Sequence, residues 1–353
     1  MKRLNTRLIT PQLCAVILLI MLPLVSVLGL MTGPVFISLS DILSIMLGDD
    51  GATIGAANGA NSQEKLIIEI IRLPRVMLSL IVGALLAACG ALLQGLFRNP
   101  LADPALIGVS AGASVGASSV IVFGSMVTSG GVMLGLSAIS IGAFGGAIVA
   151  SVIIYRLATG PQGTSVATML LAGIAIGALA GALNSLLSYF SDNDMLRQIS
   201  LWQMGNLSGA SWLKVTIMGA VAVLLMGLFP RDSRALNALL LGESEARHLG
   251  INVQRVKRRL IVLTALGVGV SVAVAGLVGF VGLIMPHIIR LMIGPDHRWL
   301  IPASGLAGAT LLVVADSLAR VVVVPAELPT GILTAILGAP FFVALLLQQR
   351  KDV

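Results

Sequence analysis

Few side chains in this sequence could carry out chemistry, and the clearest candidate is a carboxylate inside an apolar stretch. Asp316 is surrounded by alanine, valine and leucine. A carboxylate in such a place could carry a proton through a membrane. Arg320 lies four residues further on, so the two side chains would share one helix face. We therefore expect a structural ion pair, with proton transport as the alternative.

The three histidines are weak candidates for metal or haem ligands. His287 follows Pro286, with Arg290 three residues on. A lone histidine can ligate haem iron, but we expect a packing or gate-adjacent role here. His248 and His297 lie in connections between apolar blocks and are given no ligand role. The sequence has no cluster with the spacing of a metal site, so no metal or other cofactor is expected on this chain.

The sequence also lacks the motifs of an enzyme. It contains no G-x-x-x-x-G-K-[ST] loop to hold a nucleotide, since residues 160–164 have the glycines but not the lysine. No Ser/His/Asp or Cys/His arrangement is evident. Energy for any transport must therefore come from a partner protein or from an ion gradient.

The composition predicts an all-α membrane protein with a single domain over residues 1–353. Hydrophobic residues make up 57% of the chain and charged residues 10%, whereas a soluble domain has about 25% charged residues. The net charge of +7 could suggest nucleic acid. We reject that partner because the basic residues lie in short connections between apolar blocks, as the positive-inside rule describes.

Apolar blocks of membrane-crossing length predict about ten transmembrane helices. The block 260–290 is too long for one crossing, so a break is expected near Gly279–Gly282. With both termini cytoplasmic, sixteen of the 22 lysines and arginines face inward, which is the expected bias. Residues 34–71 should be partly disordered, and 190–212 should hold an outer interfacial helix. The blocks are 13–33, 76–97, 106–127, 132–155, 165–189, 213–229, 260–290, 299–323 and 330–348.

Several motifs, taken in order, closely resemble the FecCD family of permeases, the membrane subunits of type II ABC importers for haem, iron-siderophores and vitamin B12. The resemblance runs from about residue 60 to the C-terminus. The motifs are Arg72-Leu73-Pro74-Arg75, Arg98-Asn99-Pro100-Leu101-Ala102-Asp103-Pro104, Gly108-Val109-Ser110-Ala111-Gly112-Ala113, Gly279-Phe280-Val281-Gly282-Leu283-Ile284-Met285-Pro286-His287, Asp296-His297-Arg298, Ala315-Asp316-Ser317-Leu318-Ala319-Arg320, Glu327-Leu328-Pro329 and Gly338-Ala339-Pro340.

The resemblance implies a homodimer in the bacterial inner membrane. Two copies of an ATPase subunit, which bind ATP and Mg²⁺, would dock on its cytoplasmic face. A periplasmic substrate-binding protein would dock on the other face. Membrane lipid would surround the rest of the bundle.

Residues 230–259 would form a cytoplasmic coupling-helix loop that contacts the ATPase, although an ordinary loop is the alternative. Two short amphipathic stretches are predicted, stopped by Gly242 and Gly250. Acidic residues open the second stretch and basic residues close it, as the helix dipole prefers. The coupling residues would be Leu241, Gly242, Glu243, Glu245, Arg247, His248, Leu249 and Gly250.

On the outer face, the resemblance assigns Arg72, Arg75 and Arg320 to docking of the binding protein. The alternative is that these side chains only extend from helix ends toward water. The translocation path would follow the predicted span 165–189, where glycines recur every four residues. Close helix packing is the alternative for those glycines. The path and gate residues would be Thr164, Ser165, Val166, Gly173, Gly177, Gly181, Asn184, Ser188 and Tyr189.

The residues 196–209 are most similar to haem-type members, so haem is the first substrate expected. Ferric siderophore and vitamin B12 follow in that order. A secondary transporter driven by an ion gradient is a further alternative, disfavoured because the predicted spans hold almost no carboxylates.

Overall fold

The computed structural model describes residues 8–47, 60–127, 132–161 and 163–351. Within the segment 34–71, predicted to be partly disordered, residues 39–46 and 60–71 are helical, and residues 48–59 lie outside the described ranges, as do both chain ends. Apart from one hairpin of two-residue strands, Thr159–Gly160 and Gly163–Thr164, the regular structure of the described residues is helical. This confirms the predicted all-α class.

The helices are numbered here in chain order. They are α1 Pro11–Met31, α2 Leu39–Met46, α3 Ala60–Leu66, α4 Leu73–Phe97, α5 Val109–Val127, α6 Val132–Ala158, α7 Val166–Tyr189, α8 Asn193–Gln203, α9 Trp212–Leu228, α10 Ser233–Leu239, α11 Glu243–His248, α12 Val253–Ala275, α13 Val281–Ile293, α14 His297–Ala319 and α15 Thr330–Lys351. A π-helical turn, Ile67–Arg72, joins α3 to α4, and 3₁₀ turns occur at Pro104–Ile107 and Phe229–Asp232.

Seven helical segments in the described ranges are long and apolar enough to cross a membrane. They contain all or most of α1, α4, α6, α7, α9, α12 and α14. Three shorter apolar segments, Val109–Gly124, Val281–Ile293 and Thr330–Ala344, correspond to the other predicted spans. A helix is present in 190–212, as predicted, and is named α8; its outer position stays a prediction. The number of crossings and the side on which each terminus lies remain predictions.

The predicted break in the long apolar block is present, but it lies a few residues earlier than expected. Helix α12 ends at Ala275 because Gly276 adopts a positive φ of 70°, which glycine tolerates best. Helix α13 begins after Phe280, which also has a positive φ, of 67°. At the other end, α12 begins at Val253 with Asn252 as its N-cap. Residues 253–259 therefore belong to a long helix, and the predicted inner connection is shorter than 230–259.

Helix α4 is the centre of the bundle. It packs against α14, α13, α12 and α9, and most of its side chains are buried. Two glycines allow these contacts. A Cβ on Gly83 would lie 2.3 Å from the Gly308 carbonyl oxygen, and one on Gly90 would lie 1.8 Å from the Gly282 oxygen. These backbones approach too closely for any side chain, as in many membrane helix pairs.

We expect Gly90→Ala to destabilise the protein by roughly 1–3 kcal/mol, because the added methyl group overpacks a closed contact. The matched control is Gly145→Ala in α6, where a Cβ would meet nothing within 4 Å. Thermal unfolding in detergent measures both variants. Equal unfolding temperatures for the two would contradict the packing described here.

Candidate translocation pathway and coupling surface

An open cavity of about 620 Å³ lies between α5 and α7, and one residue of α8 and one of the α12–α13 connection also line it. Four predicted path residues line it: Gly177, Gly181, Asn184 and Ser188. The full lining is Ser110, Ala111, Ser114, Gly177, Ala180, Gly181, Asn184, Ser185, Ser188, Gln203 and Leu277. Most of these residues are small or polar, and none of them is charged.

Gly177 and Gly181 of α7 are not used for packing in this chain. A Cβ on Gly177 or Gly181 would meet nothing within 4 Å. The polar groups beside them bond mainly to their own helix: Asn184 Nδ2 donates to the Ala180 oxygen at 3.0 Å, and Ser185 donates to the Gly181 oxygen. Such a surface offers a passing ligand few strong partners.

Two predicted path residues are not part of this cavity. Gly173 is absent from the cavity lining. Tyr189 is 82% exposed and its ring packs edge-to-face on Phe190. The prediction also missed Ser110 and Ser114 of α5. The serine and small residues of the 108–113 motif were the available signal, but the sequence did not show that α5 faces α7.

The predicted gate residues Thr164, Ser165 and Val166 lie at the start of α7. Thr164 ends the hairpin and is only 5% exposed. Ser165 is the N-cap of α7, where its side chain accepts from the Thr168 amide. The hairpin rests on α12, since the Thr164 amide donates to Gln254 Oε1 at 3.0 Å. The position of these predicted gate residues therefore depends on α12 as well as on α7.

The predicted pair of short helices is present as α10 and α11. Gly242 and Gly250 stop them with φ values of 131° and 81°. Within α11, Arg247 lies 3.7 Å from Glu243, in the charge order that was predicted. Leu241 and Leu249 are 70% and 64% exposed.

Exposed leucines beside charged groups offer apolar contacts to a partner protein. The residues predicted for coupling form this one surface, since Leu241, Glu245, Arg247, His248, Leu249 and Gly250 are exposed while Gly242 and Glu243 are half-buried.

This surface is anchored to α14. Asn237 of α10 donates to the Asp296 carboxylate at 2.6 Å and accepts from the His297 amide. Burial alone would raise the pKa of Asp296. The bonds from Asn237 and from the Arg298 amide outweigh it and hold that pKa below its usual value.

The three arginines predicted to dock a binding protein are buried, each 3% exposed. Arg72 donates to the carbonyl oxygens of Leu30, Met31 and Val35. Arg320 donates to those of Gly29 and Thr32, at 2.8 and 3.1 Å. Together they satisfy the carbonyls at the end of α1, which has no further turn to do so.

The third arginine, Arg75, forms the ion pair at the centre of this cluster. Its Nε donates to both Asp316 carboxylate oxygens at 3.0 Å, and its Nη1 lies 2.7 Å from Glu327. Thr330 also donates to Asp316. A docking role needs exposed guanidinium groups, and all three are buried in this conformation, so that role stays a prediction. The groups that bury and bond these three arginines are distant from them in the sequence.

Asp316 is a structural ion-pair member, as predicted, but its main partner is Arg75. Arg320 Nε is more distant, at 3.4 Å. His287 is buried and packs edge-to-face against Phe341. This fits the packing role expected for it.

A bundle of apolar helices with an open, uncharged cavity and an exposed helix pair fits the architecture of a membrane permease. Comparisons with known proteins agree. Residues 18–348 match the FecCD transport family, so the chain belongs to that family. Its members are permease subunits of ABC transporters, and a separate subunit hydrolyses ATP.

Individual relatives cover most of the chain. The hemin transport system permease protein HmuU of Yersinia pestis is 48% identical over 80% of this chain and 83% of its own. The cobalamin import system permease protein BtuC of Halobacterium salinarum is 43% identical over 83% and 76%. A solved metal-chelate type ABC transporter in an inward-facing conformation is 31% identical, with a TM-score of 0.78, covering 96% of this chain and 99% of that one.

We expect Asp316→Asn to destabilise the protein by about 3–5 kcal/mol, because it leaves the buried Arg75 charge without its main partner. Glu327→Gln is the control. Glu327 is 34% exposed, so losing its pair should cost about 1 kcal/mol or less. Denaturation in detergent compares the two, and an unchanged Asp316→Asn protein would refute the structural role.

Proposed function

We propose that this chain is the permease subunit of an ATP-driven importer that moves haem from the periplasm to the cytoplasm by alternating access. The observation that supports it best is the exposed α10–α11 surface in a chain that matches the family almost end to end. Two copies of an ATPase subunit, holding ATP and Mg²⁺, dock there. A periplasmic binding protein delivers the ligand on the opposite face.

The working unit is a homodimer in the bacterial inner membrane, with ten crossings in each copy and both termini cytoplasmic. The open face of α7 supports a second copy, because a cavity lined on one side by α5 and α7 needs another wall to enclose a large ligand. Haem is placed first because the hemin permease is 48% identical, against 43% for the cobalamin permease.

Substrate choice is tested with the complete complex in lipid nanodiscs. The permease, its ATPase and its binding protein are assembled, and ATP turnover is measured with the binding protein empty or loaded with haem, cobalamin or a ferric siderophore. We expect the haem-loaded protein to stimulate turnover most. Stimulation by cobalamin alone would reassign the substrate, and proton-driven uptake without ATP would refute the ABC mechanism.

The pathway is tested by filling the cavity. We expect Gly177→Leu to abolish uptake while unfolding temperature and ATP turnover stay near the unmodified values, because the side chain enters open space. Gly227→Leu in α9 is the control, since that position is also open but lies outside the cavity. Normal uptake by Gly177→Leu would show that the path lies elsewhere.

A further inference from the structure

One lysine connects the coupling surface to the gate. Lys257 lies in the second turn of α12 and is only 3% exposed. A lysine is almost never fully buried unless its charge is paired. Its ammonium group therefore depends on the partners that the surrounding elements supply.

These partners belong to two different elements. Lys257 Nζ donates to the Thr164 carbonyl oxygen of the gate hairpin at 3.0 Å. The same Nζ lies 2.7 Å from Glu243 Oε1, in the first turn of α11. Glu243 is 31% exposed, so the pair lies at the edge of the bundle, with the carboxylate toward the coupling surface.

A second contact holds the hairpin to the same helix. Gln254, one turn before Lys257, accepts from the Thr164 amide. Gly163 leaves room for that side chain, because a Cβ there would lie 2.2 Å from Gln254 Nε2. Both backbone polar groups of Thr164 are thus bonded to side chains of α12.

We propose that Lys257 is a positioning residue that makes the position of the gate hairpin depend on the position of α11. Movement of α11 displaces Glu243, and a buried ammonium cannot remain where it loses its counter-charge. Lys257 therefore moves with Glu243. The Thr164 carbonyl, which is bonded to Lys257, then moves with Lys257. The inference rests on the proposed function, in which α11 moves with the ATPase.

A nearby cation provides a matched control. Arg259 lies two residues further along α12 and pairs with Asp232 in the turn before α10. Both ion pairs join α12 to the segment between α9 and α12. Among the hydrogen bonds of the described residues, however, none joins Arg259 to the hairpin. A general effect of lost charge would affect both positions.

The test uses the complete complex in nanodiscs, with substrate transported per ATP hydrolysed as the first readout. Hydrogen–deuterium exchange of residues 158–166, with and without ATP, is the second. We expect Lys257→Met to lower transport per ATP by about tenfold, a typical coupling between distant sites, and to remove the response of the hairpin to ATP. Arg259→Met should change neither. Lys257→Gln, which keeps a donor for Thr164 but no charge, should also lose the response.

Several results would overturn the inference. Transport per ATP in Lys257→Met equal to that in Arg259→Met would do so, as would an unchanged ATP response of the hairpin. If Lys257→Met does not assemble with the ATPase, Lys257→Gln decides by the same two readouts. Failure of the proposed function is distinguishable, because transport by the unmodified complex would then not depend on ATP.

Discussion

The bilayer offers no hydrogen-bond partner to a buried polar group, so the protein must supply every one itself. The cluster of Arg72, Arg75 and Arg320 at the end of α1 shows this most clearly. Helix α1 ends with free carbonyls, and Arg72 and Arg320 satisfy them. Arg75 in turn needs Asp316 and Glu327. The five charged side chains join α1, α4, α14 and the segment before α15 into one unit.

Glycine has two opposite uses under the same constraint. In α4, Gly83 and Gly90 remove side chains so that backbones can touch, which gives a dense and fixed centre. In α7, Gly177 and Gly181 remove side chains so that space stays open. The dense centre holds α12 in place, and α12 supports the hairpin 159–164 through Gln254 and Lys257. A fixed core beside an open wall is what the proposed alternating access requires.

Local signals in the sequence predicted the helices well. The apolar blocks, the break before α13 and the short helix pair between glycines all follow from hydrophobic length, backbone freedom and charge order. The sequence could not show what lies opposite each residue. Arg75 and Asp316 are 241 positions apart, so the sequence alone could not show that Arg75 is paired and buried rather than exposed. For the same reason, the spacing of Gly177 and Gly181 could not show whether these glycines pack against another helix or face an open cavity. Ser110 and Ser114, which also line the cavity, were not predicted.

The central claim is that the α10–α11 surface faces the cytoplasm and α8 faces the opposite side. Single cysteines test it directly, because the native Cys14 and Cys89 are 1% and 0% exposed and should react little. Arg247→Cys in α11 and Asp194→Cys in α8 are each labelled in intact and in opened cells with a maleimide that cannot cross the membrane. We predict that Asp194→Cys reacts in intact cells and that Arg247→Cys reacts only after opening. Labelling of Arg247→Cys from outside intact cells would contradict the account.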